Sequence, residues 1–329
     1  MNIIKYGLLT FITVIVTALL FARPVSAVTE EAWEEAVTVY GAALESNAEL
    51  QNTTMQLLGT KASDKTTYVY AEDLNKYLNL QSSNDVLKSS IRIKKLSKGS
   101  GLTLTIDESK GQITKISEDT YKNALLTAGV TDADVKIAAA EDVTGESALA
   151  GVYKAFEAQG EPIDQKQTQA AQEELDTITT INEENENKDD YSQEQLNKAV
   201  AEAKAEVAQQ DGKLSTDEIR NVVIEKINNN GLNSVLNNNQ INLIVNFINN
   251  AQNQGVFTGT NADKFVDSAT QYVNDIKNSD AFKKAADKAK DAGKNLKDSL
   301  EEQGVWEKFT SAVQSFFNAI VNFFKSLTA

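Results

Sequence analysis

The chain has 329 residues, no cysteine, no histidine and a formal net charge of −15. Without cysteine there is no disulfide framework and no thiolate chemistry, and without histidine the Ser-His-Asp triad, histidine-ligated zinc and a histidine general base are all excluded. The acidic surplus also excludes non-specific binding of nucleic acid, which requires a basic surface.

The first 27 residues have the order of a secretory signal peptide. Lys5 precedes a charge-free run from Gly7 to Phe21, and the segment ends in the small residues Val25-Ser26-Ala27. The apolar run is shorter than the roughly 20 residues that a bilayer-spanning helix needs. We therefore expect cleavage after Ala27 and a secreted or extracellular mature chain beginning at Val28. A retained membrane anchor is the alternative.

Residues 28–160 mix helix and strand signals. Apolar residues at helical spacing predict a first helix, and they are Trp33, Val37, Tyr40 and Leu44. A second helix is predicted over about 46–58, ended by Gly59. The β-branched and aromatic run 66–70 predicts a strand.

Two further segments alternate apolar with polar residues, 91–96 and 102–106, and the turn residues 98–101 lie between them. This pattern predicts a β-hairpin. A strand over 113–116, a helix over 118–128 begun by Ser117, a strand over 135–140 and a helix over 147–158 are predicted to follow. The sequence therefore predicts the α+β class, with a small N-terminal α+β sandwich domain over 28–160 and a helical C-terminal region after it.

Four stretches resemble the YpuA-like family of secreted Gram-positive proteins, also called domain of unknown function 1002. They are YGAAL (40–44), LLG (57–59), NALLTAGVTDADVKIAA (123–139) and TGESALAGVYKAFEA (144–158). The resemblance extends over about 28–250. It implies an exported protein and supplies no activity, catalytic residue or cofactor.

Residues 161–190 carry ten carboxylates against two lysines. The part that includes Ala171 and Leu175 is predicted to be helical, whereas Asn182 to Asp190 has nothing to bury and is predicted to be a solvated linker. A low-affinity collector of divalent cations is the functional alternative.

Residues 191–260 contain a weak repeat whose three units begin near Ser192, Ser215 and Asn237. Each start resembles a helix cap followed by apolar residues at helical spacing, so stacked helical hairpins are predicted, with capping boxes at Ser192 and Ser215. The segment 211–218 also resembles the second half of an EF-hand loop. Because Val207 and Gln209 occupy the first and third ligand positions, no strong metal site is expected.

The last region, 261–329, ends in two predicted helices. The first, over about 281–300, is rich in lysine and small residues, and the second is amphipathic. Its apolar face consists of Trp306, Phe309, Val313, Phe316, Phe317, Ile320, Phe324 and Leu327. This face is predicted to pack on the protein's own helices, to lie in a membrane surface, or to contact a partner protein through residues 281–329.

These patterns favour an exported cell-envelope or extracellular protein that is a non-enzymatic binding or interaction protein and uses its C-terminal amphipathic helix. No catalytic residue, cofactor site or metal ligand is assigned. The alternative is a carboxylate-dependent hydrolase acting on an envelope polymer, because paired carboxylates remain available in so acidic a chain.

Overall fold

The computed structural model of the protein describes residues 31–280, 282 and 283. Within these residues the fold is α+β, with a five-stranded mixed sheet in the N-terminal half and a helical C-terminal region. The predicted fold class is therefore confirmed. The predicted signal peptide lies outside the described residues.

The sheet has the strand order β2-β1-β3-β5-β4. Its strands are β1 (Val37–Gly41), β2 (Lys65–Val69), β3 (Ser90–Lys95), β4 (Leu102–Asp107) and β5 (Ala133–Ala138). β1 is parallel to β2 and antiparallel to β3, while β5 is antiparallel to β3 and parallel to β4. Residues in register point to the same face, so Val37, Ile93, Val135 and Leu104 share one apolar face.

Nine α-helices lie in the described ranges. They are α1 (Ala48–Leu58), α2 (Ala71–Leu78), α3 (Glu118–Thr127), α4 (Glu146–Ala158), α5 (Gln165–Asn185), α6 (Gln193–Gln209), α7 (Thr216–Asn229), α8 (Asn238–Asn253) and α9 (Gly259–Asn278). Short 3-10 turns follow β1 (Ala42–Leu44) and α2 (Asn84–Val86). None of the helices in the described part of the chain is long and apolar enough to cross a membrane.

Two large cores and a small cluster around Tyr40 and Leu58 support the fold. The apolar face of the sheet packs on α4, where Gly151 allows a close approach to Val39 and Ile91. The second core lies among α6, α7, α8 and α9 and is filled by aliphatic and aromatic side chains such as Phe247 and Phe257. α3 and α5 contribute to both cores, so they connect the sheet to the helical region.

Three of the predicted elements are wrong. The predicted first helix is strand β1, whose five residues are all buried, so that no alternation of burial marks it as a strand. The predicted hairpin does not form, because β5 lies between β3 and β4. The predicted strand 113–116 is a single bridge between Ile113 and Val143.

Several helix ends are confirmed. α1 ends at Gly59, which has a left-handed φ of 63°. The Ser117 and Ser192 hydroxyls cap α3 and α6, and Ser215 forms the predicted capping box of α7. At Ser192 the predicted capping box is reduced to the single bond from the Gln195 amide to the Ser192 hydroxyl. Asn237 forms a further box at the start of α8. These local signals succeed because the cap residue bonds a backbone amide only three positions away.

The acidic segment is more ordered than predicted. α5 continues to Asn185, and both Asn182 and Asn185 are buried. The Asn185 side chain donates to the Ile181 carbonyl (2.6 Å), and Lys188 Nζ donates to the Val235 carbonyl (3.0 Å). The predicted linker is therefore helical up to Asn185.

Candidate functional site

The predicted contact face, from Trp306 to Leu327, lies outside the described residues, but the start of its segment is visible. α9 ends at Asn278, and Ser279 begins a new helical turn: the Phe282 amide donates to Ser279 Oγ and the Lys283 amide to the Ser279 carbonyl, both at 3.1 Å. Phe282 packs against the helical core, and Lys198 Nζ lies 5.5 Å from its ring centroid. The point at which the C-terminal segment leaves α9 is therefore fixed on α6.

The clefts on the described part of the molecule include three open ones. The first, of about 320 Å³, is bounded by the β3–β4 turn, the α3–β5 turn and α9. Phe156 is in its lining and packs edge-on against Trp33, with 4.9 Å between ring centroids. Trp33 Nε1 donates to Glu161, which also pairs with Lys95. The aromatic pair and the ion pair thus fix the base of this cleft.

The second cleft, of about 400 Å³, lies at the N-terminus of α4. The Ser89 and Ser147 hydroxyl oxygens are 2.5 Å apart within it, and Ser147 Oγ also donates to the Ser89 carbonyl at 3.1 Å. Lys88, which lines the same cleft, pairs with Glu141. A nucleophilic serine needs an adjacent base. Here the hydroxyls contact each other and carbonyl oxygens, an arrangement that favours a structural role.

The third cleft, of about 350 Å³, is bounded by α6, α7 and α9. Its lysines are in ion pairs: Lys198 with Glu202 at 2.9 Å, and Lys226 with Glu206 at 2.5 Å. The charges of this cleft are therefore largely satisfied within the protein.

A buried ion pair joins the two halves of the molecule. Lys204 on α6 and Glu174 on α5 are both fully buried and in direct contact. Lys204 Nζ also donates to Thr127 Oγ1 (3.0 Å) and to the Asn123 carbonyl (3.1 Å), and it lies 5.3 Å from the Phe265 ring centroid. Thr127 Oγ1 in turn donates to Glu174 at 2.5 Å. The cluster therefore connects α3, α5, α6 and α9.

Burial shifts both members of this pair toward their neutral forms. Burial raises the pKa of Glu174 above its ordinary value, although the neighbouring lysine opposes the shift. Burial lowers the pKa of Lys204, and Glu174 opposes that shift in turn. Because neither side chain contacts solvent, substrate could not reach them, and the pair is structural.

Two more carboxyl groups of the described residues have a raised pKa, those of Asp119 and Asp176, and burial is the main cause for both. Neither they nor Glu174 line the three clefts. A general acid must lie within hydrogen-bond reach of the substrate. The carboxyls with a raised pKa are thus separate from these three clefts.

The described part of the chain contains no candidate metal site. Among residues 31–280, 282 and 283, no group of three or more carboxylates lies close enough to hold a metal ion. Asp211, in the segment that resembles half an EF-hand, accepts from the Gly259 amide (2.8 Å) and pairs with Lys213 (2.6 Å). The glycine that follows, Gly212, has a positive φ of 58°, as expected for a helix stop.

The sequence contained a signal for the buried pair that was missed. Lys204 lies four residues after Val200 and three before Val207, within the buried stripe of α6. Glu174 lies three residues after Ala171 and four before Ile178, within the buried stripe of α5. A single charge in each of two apolar stripes predicts an internal pair, because an isolated buried charge is too costly.

Comparison with known proteins gives one family and one relative. Residues 40–272 match the family model described as "Protein of unknown function (DUF1002)". The chain is 31% identical over 257 residues, 77% of each chain, to "Uncharacterized protein YpuA" of Bacillus subtilis (strain 168). No solved structure matches significantly.

Proposed function

Because the chain belongs to the DUF1002 family of proteins of unknown function, we propose a role that rests on its own residues: it is an exported, non-catalytic binding protein of the cell envelope. In this proposal residues 31–283 carry the C-terminal segment, and the aromatic face from Trp306 to Leu327 makes the functional contact. An anionic membrane surface is the contact that we propose.

Export is supported by the N-terminal sequence. Lys5, the uncharged run that follows and the small residues before Val28 have the order that a signal peptidase recognises. Expression of the whole chain in a Gram-positive host tests this step. We expect the protein in the wall or medium fraction with Val28 as its first residue, and retention at Met1 in the membrane fraction would refute cleavage.

The absence of catalysis is supported by the clefts. Several of their polar side chains bond to carbonyls, hydroxyls and carboxylates of the protein itself, among them Ser89, Ser147, Lys88, Lys198 and Lys226. The carboxyls with a raised pKa, Asp119, Glu174 and Asp176, lie outside these clefts. No observation in the described residues favours the alternative, a carboxylate-dependent hydrolase.

The observation that carries the proposal is the attachment of the C-terminal segment. Phe282 is packed on the helical core near Lys198, in the helical turn begun by Ser279. Beyond this point the sequence has six lysines between 283 and 297, and then the aromatic face. Lysines beside an aromatic face suit an anionic lipid surface, because the cations attract headgroups while the rings enter the interface.

Vesicle flotation tests the proposal. The chain from Val28 to Ala329 is compared with one ending at Lys283, which keeps the contact between Phe282 and Lys198. We expect only the longer chain to float with phosphatidylglycerol-containing vesicles, and neither to float with phosphatidylcholine alone. Phe316→Asp should abolish flotation because it charges the aromatic face. Ser315→Asp adds the same charge to the opposite face and should retain most of it.

Other outcomes identify other contacts. If neither chain floats and the longer one self-associates or captures a partner through Phe316, the contact is with protein and not with lipid. If neither floats and truncation at Lys283 lowers the unfolding temperature of a monomer, the segment belongs to the core and the proposal is refuted.

A further inference from the structure

The cleft bounded by the β3–β4 turn, the α3–β5 turn and α9 combines buried apolar side chains with exposed lysines. Phe156 and Val130 are both buried and belong to its lining. Lys98 on the β3–β4 turn and Lys264 on α9 are exposed and belong to different walls. The volume of about 320 Å³ lies within the range of ~300–1,000 Å³ that is usual for small-molecule sites. The cleft therefore has the size and the mixed lining of a ligand-binding site.

The surroundings of this cleft are basic, in contrast to the chain as a whole. Residues 88–115, which include β3, β4 and the turn between them, carry seven lysines or arginines and two carboxylates. The whole chain has a net charge of −15. The lining itself has three lysines against two aspartates, namely Lys95, Lys98 and Lys264 against Asp132 and Asp267. A local excess of cations beside a cleft attracts an anionic group and disfavours a cationic one.

Contacts within the protein hold the walls of the cleft in place. The Gly101 amide donates to Asp132 Oδ1 (3.0 Å), and Thr131 Oγ1 donates to Asp132 Oδ2 (3.1 Å). Asp132 thus joins the two turns that bound the cleft. α9 lies so close to the β3–β4 turn that a Cβ added at Gly101 would be 2.5 Å from Gln271 Nε2. Because the walls are fixed before a ligand arrives, binding loses less conformational entropy.

The apolar side chains indicate which kind of anion fits. A phosphate or a sugar phosphate has no apolar group to place against Phe156 and Val130. A peptide that ends in a free carboxylate has an anionic end with an apolar side chain next to it. Ser268 and Gln271 belong to the same lining, and their hydroxyl and amide groups can both donate and accept hydrogen bonds, as a peptide group requires. The lining therefore favours the end of a peptide over a phosphate.

We propose that this cleft binds the C-terminal end of a short peptide. The terminal carboxylate lies between Lys98 and Lys264, whose ammonium groups donate charge-assisted hydrogen bonds to it. The terminal side chain packs against Phe156 and Val130. Binding here does not depend on the membrane contact proposed above, so either can fail without the other. A ligand of two residues should bind with a dissociation constant on the order of 0.1–1 mM, because a small ligand makes few contacts.

Ligand-observed NMR titration with acetyl-alanyl-leucine tests this on the chain from Val28 to Ala329, in solution without vesicles. The free acid should bind at least about tenfold more tightly than its C-terminal amide, because the amide has no charge to offer the lysines. Lys264→Gln should weaken binding of the acid roughly fivefold. Asp267→Asn, three residues further along α9, should leave binding unchanged or tighten it. Lys277→Gln, near the other end of α9, is the matched control and should bind the acid as the unchanged chain does.

Each contrary result refutes the proposal. A free acid that does not bind at about 10 mM has no site here. Equal binding of acid and amide, or binding that is unaffected by both Lys98→Gln and Lys264→Gln, shows that these lysines do not hold a carboxylate. Glycerol phosphate that binds more tightly than the peptide, and loses affinity in Lys264→Gln, would assign the cleft to phosphates. Binding that tightens in Lys264→Gln and weakens in Asp267→Asn would assign it to a cation.

Discussion

Removing either member of the buried pair between Lys204 and Glu174 should strongly destabilise the protein. Both side chains are fully buried, and they bond to each other and to Thr127. In Lys204→Met the Glu174 carboxylate keeps only the Thr127 hydroxyl among the partners described above. Breaking a buried pair in this way costs about 3–5 kcal/mol, against a total stability of about 5–15 kcal/mol for an ordinary domain.

The two single variants should respond to pH in opposite directions. Burial already raises the pKa of Glu174, and losing Lys204 raises it further, so folded Lys204→Met takes up a proton more readily than its unfolded chain. Its defect should therefore shrink as the pH falls toward the ordinary pKa of a glutamate. In Glu174→Gln the pKa of Lys204, already lowered by burial, falls further, so this defect should shrink as the pH rises.

Urea unfolding followed by circular dichroism measures these effects as free energies of unfolding. The double variant Lys204→Met/Glu174→Leu serves as the reference, because well-packed apolar replacements of a buried pair are often neutral or stabilising. It should be more stable than either single variant. Losses below about 1 kcal/mol in both single variants, or pH trends of the same sign, would refute the assignment of a buried charged pair.

Three other substitutions test local features by the same unfolding measurement. Gly145→Ala should cost about 1–3 kcal/mol or more, because Gly145 has a φ of 117° and an added Cβ would collide with the Tyr121 hydroxyl; an unchanged stability would contradict this. Ser215→Ala removes the cap of α7 and should cost about 1 kcal/mol, whereas Ser215→Asp should retain most of the stability. Arg92→Lys loses the bidentate hydrogen bond to the Asp64 carboxylate and should lower the free energy of unfolding by about 1–3 kcal/mol near neutral pH. Burial raises the pKa of Asp64, but hydrogen bonds from Arg92 and from a backbone amide lower this pKa overall. The cost of Arg92→Lys should therefore vanish in acid, once Asp64 is protonated. A cost that persists in acid would count against this ion pair.

The helix caps were predictable from the sequence, and the pairing of the strands was not. Ser117, Ser192 and Ser215 were identified as caps because each bonds a backbone amide within its own turn. β3 and β4 were identified as strands by their alternation, but adjacency in the chain suggested a hairpin, whereas each of them pairs with β5. Choosing a strand's partner depends on which distant segments bury the same face, and periodicity alone does not contain that information.

Burial on both faces explains the largest error. All five residues of β1 are buried, as the apolar side packs on α4 while Tyr40 lies against Leu58 of α1. A strand that is covered on both sides loses its alternation of apolar and polar residues. The spacing of its apolar residues can then match that of a helix, as it does for Val37 and Tyr40.

The strand order has a consequence for how this chain reaches its folded state. β5 follows β3 and β4 in the sequence but lies between them, so neither can complete its pairing until residues 133–138 are available. A chain that emerges with its N-terminus first therefore holds β3 and β4 without their shared neighbour until residues 133–138 have been synthesised. Folds dominated by such distant pairings form slowly, because the chain loses the entropy of loop closure before the stabilising contacts form. The sheet of the N-terminal half should accordingly complete its pairing late in folding.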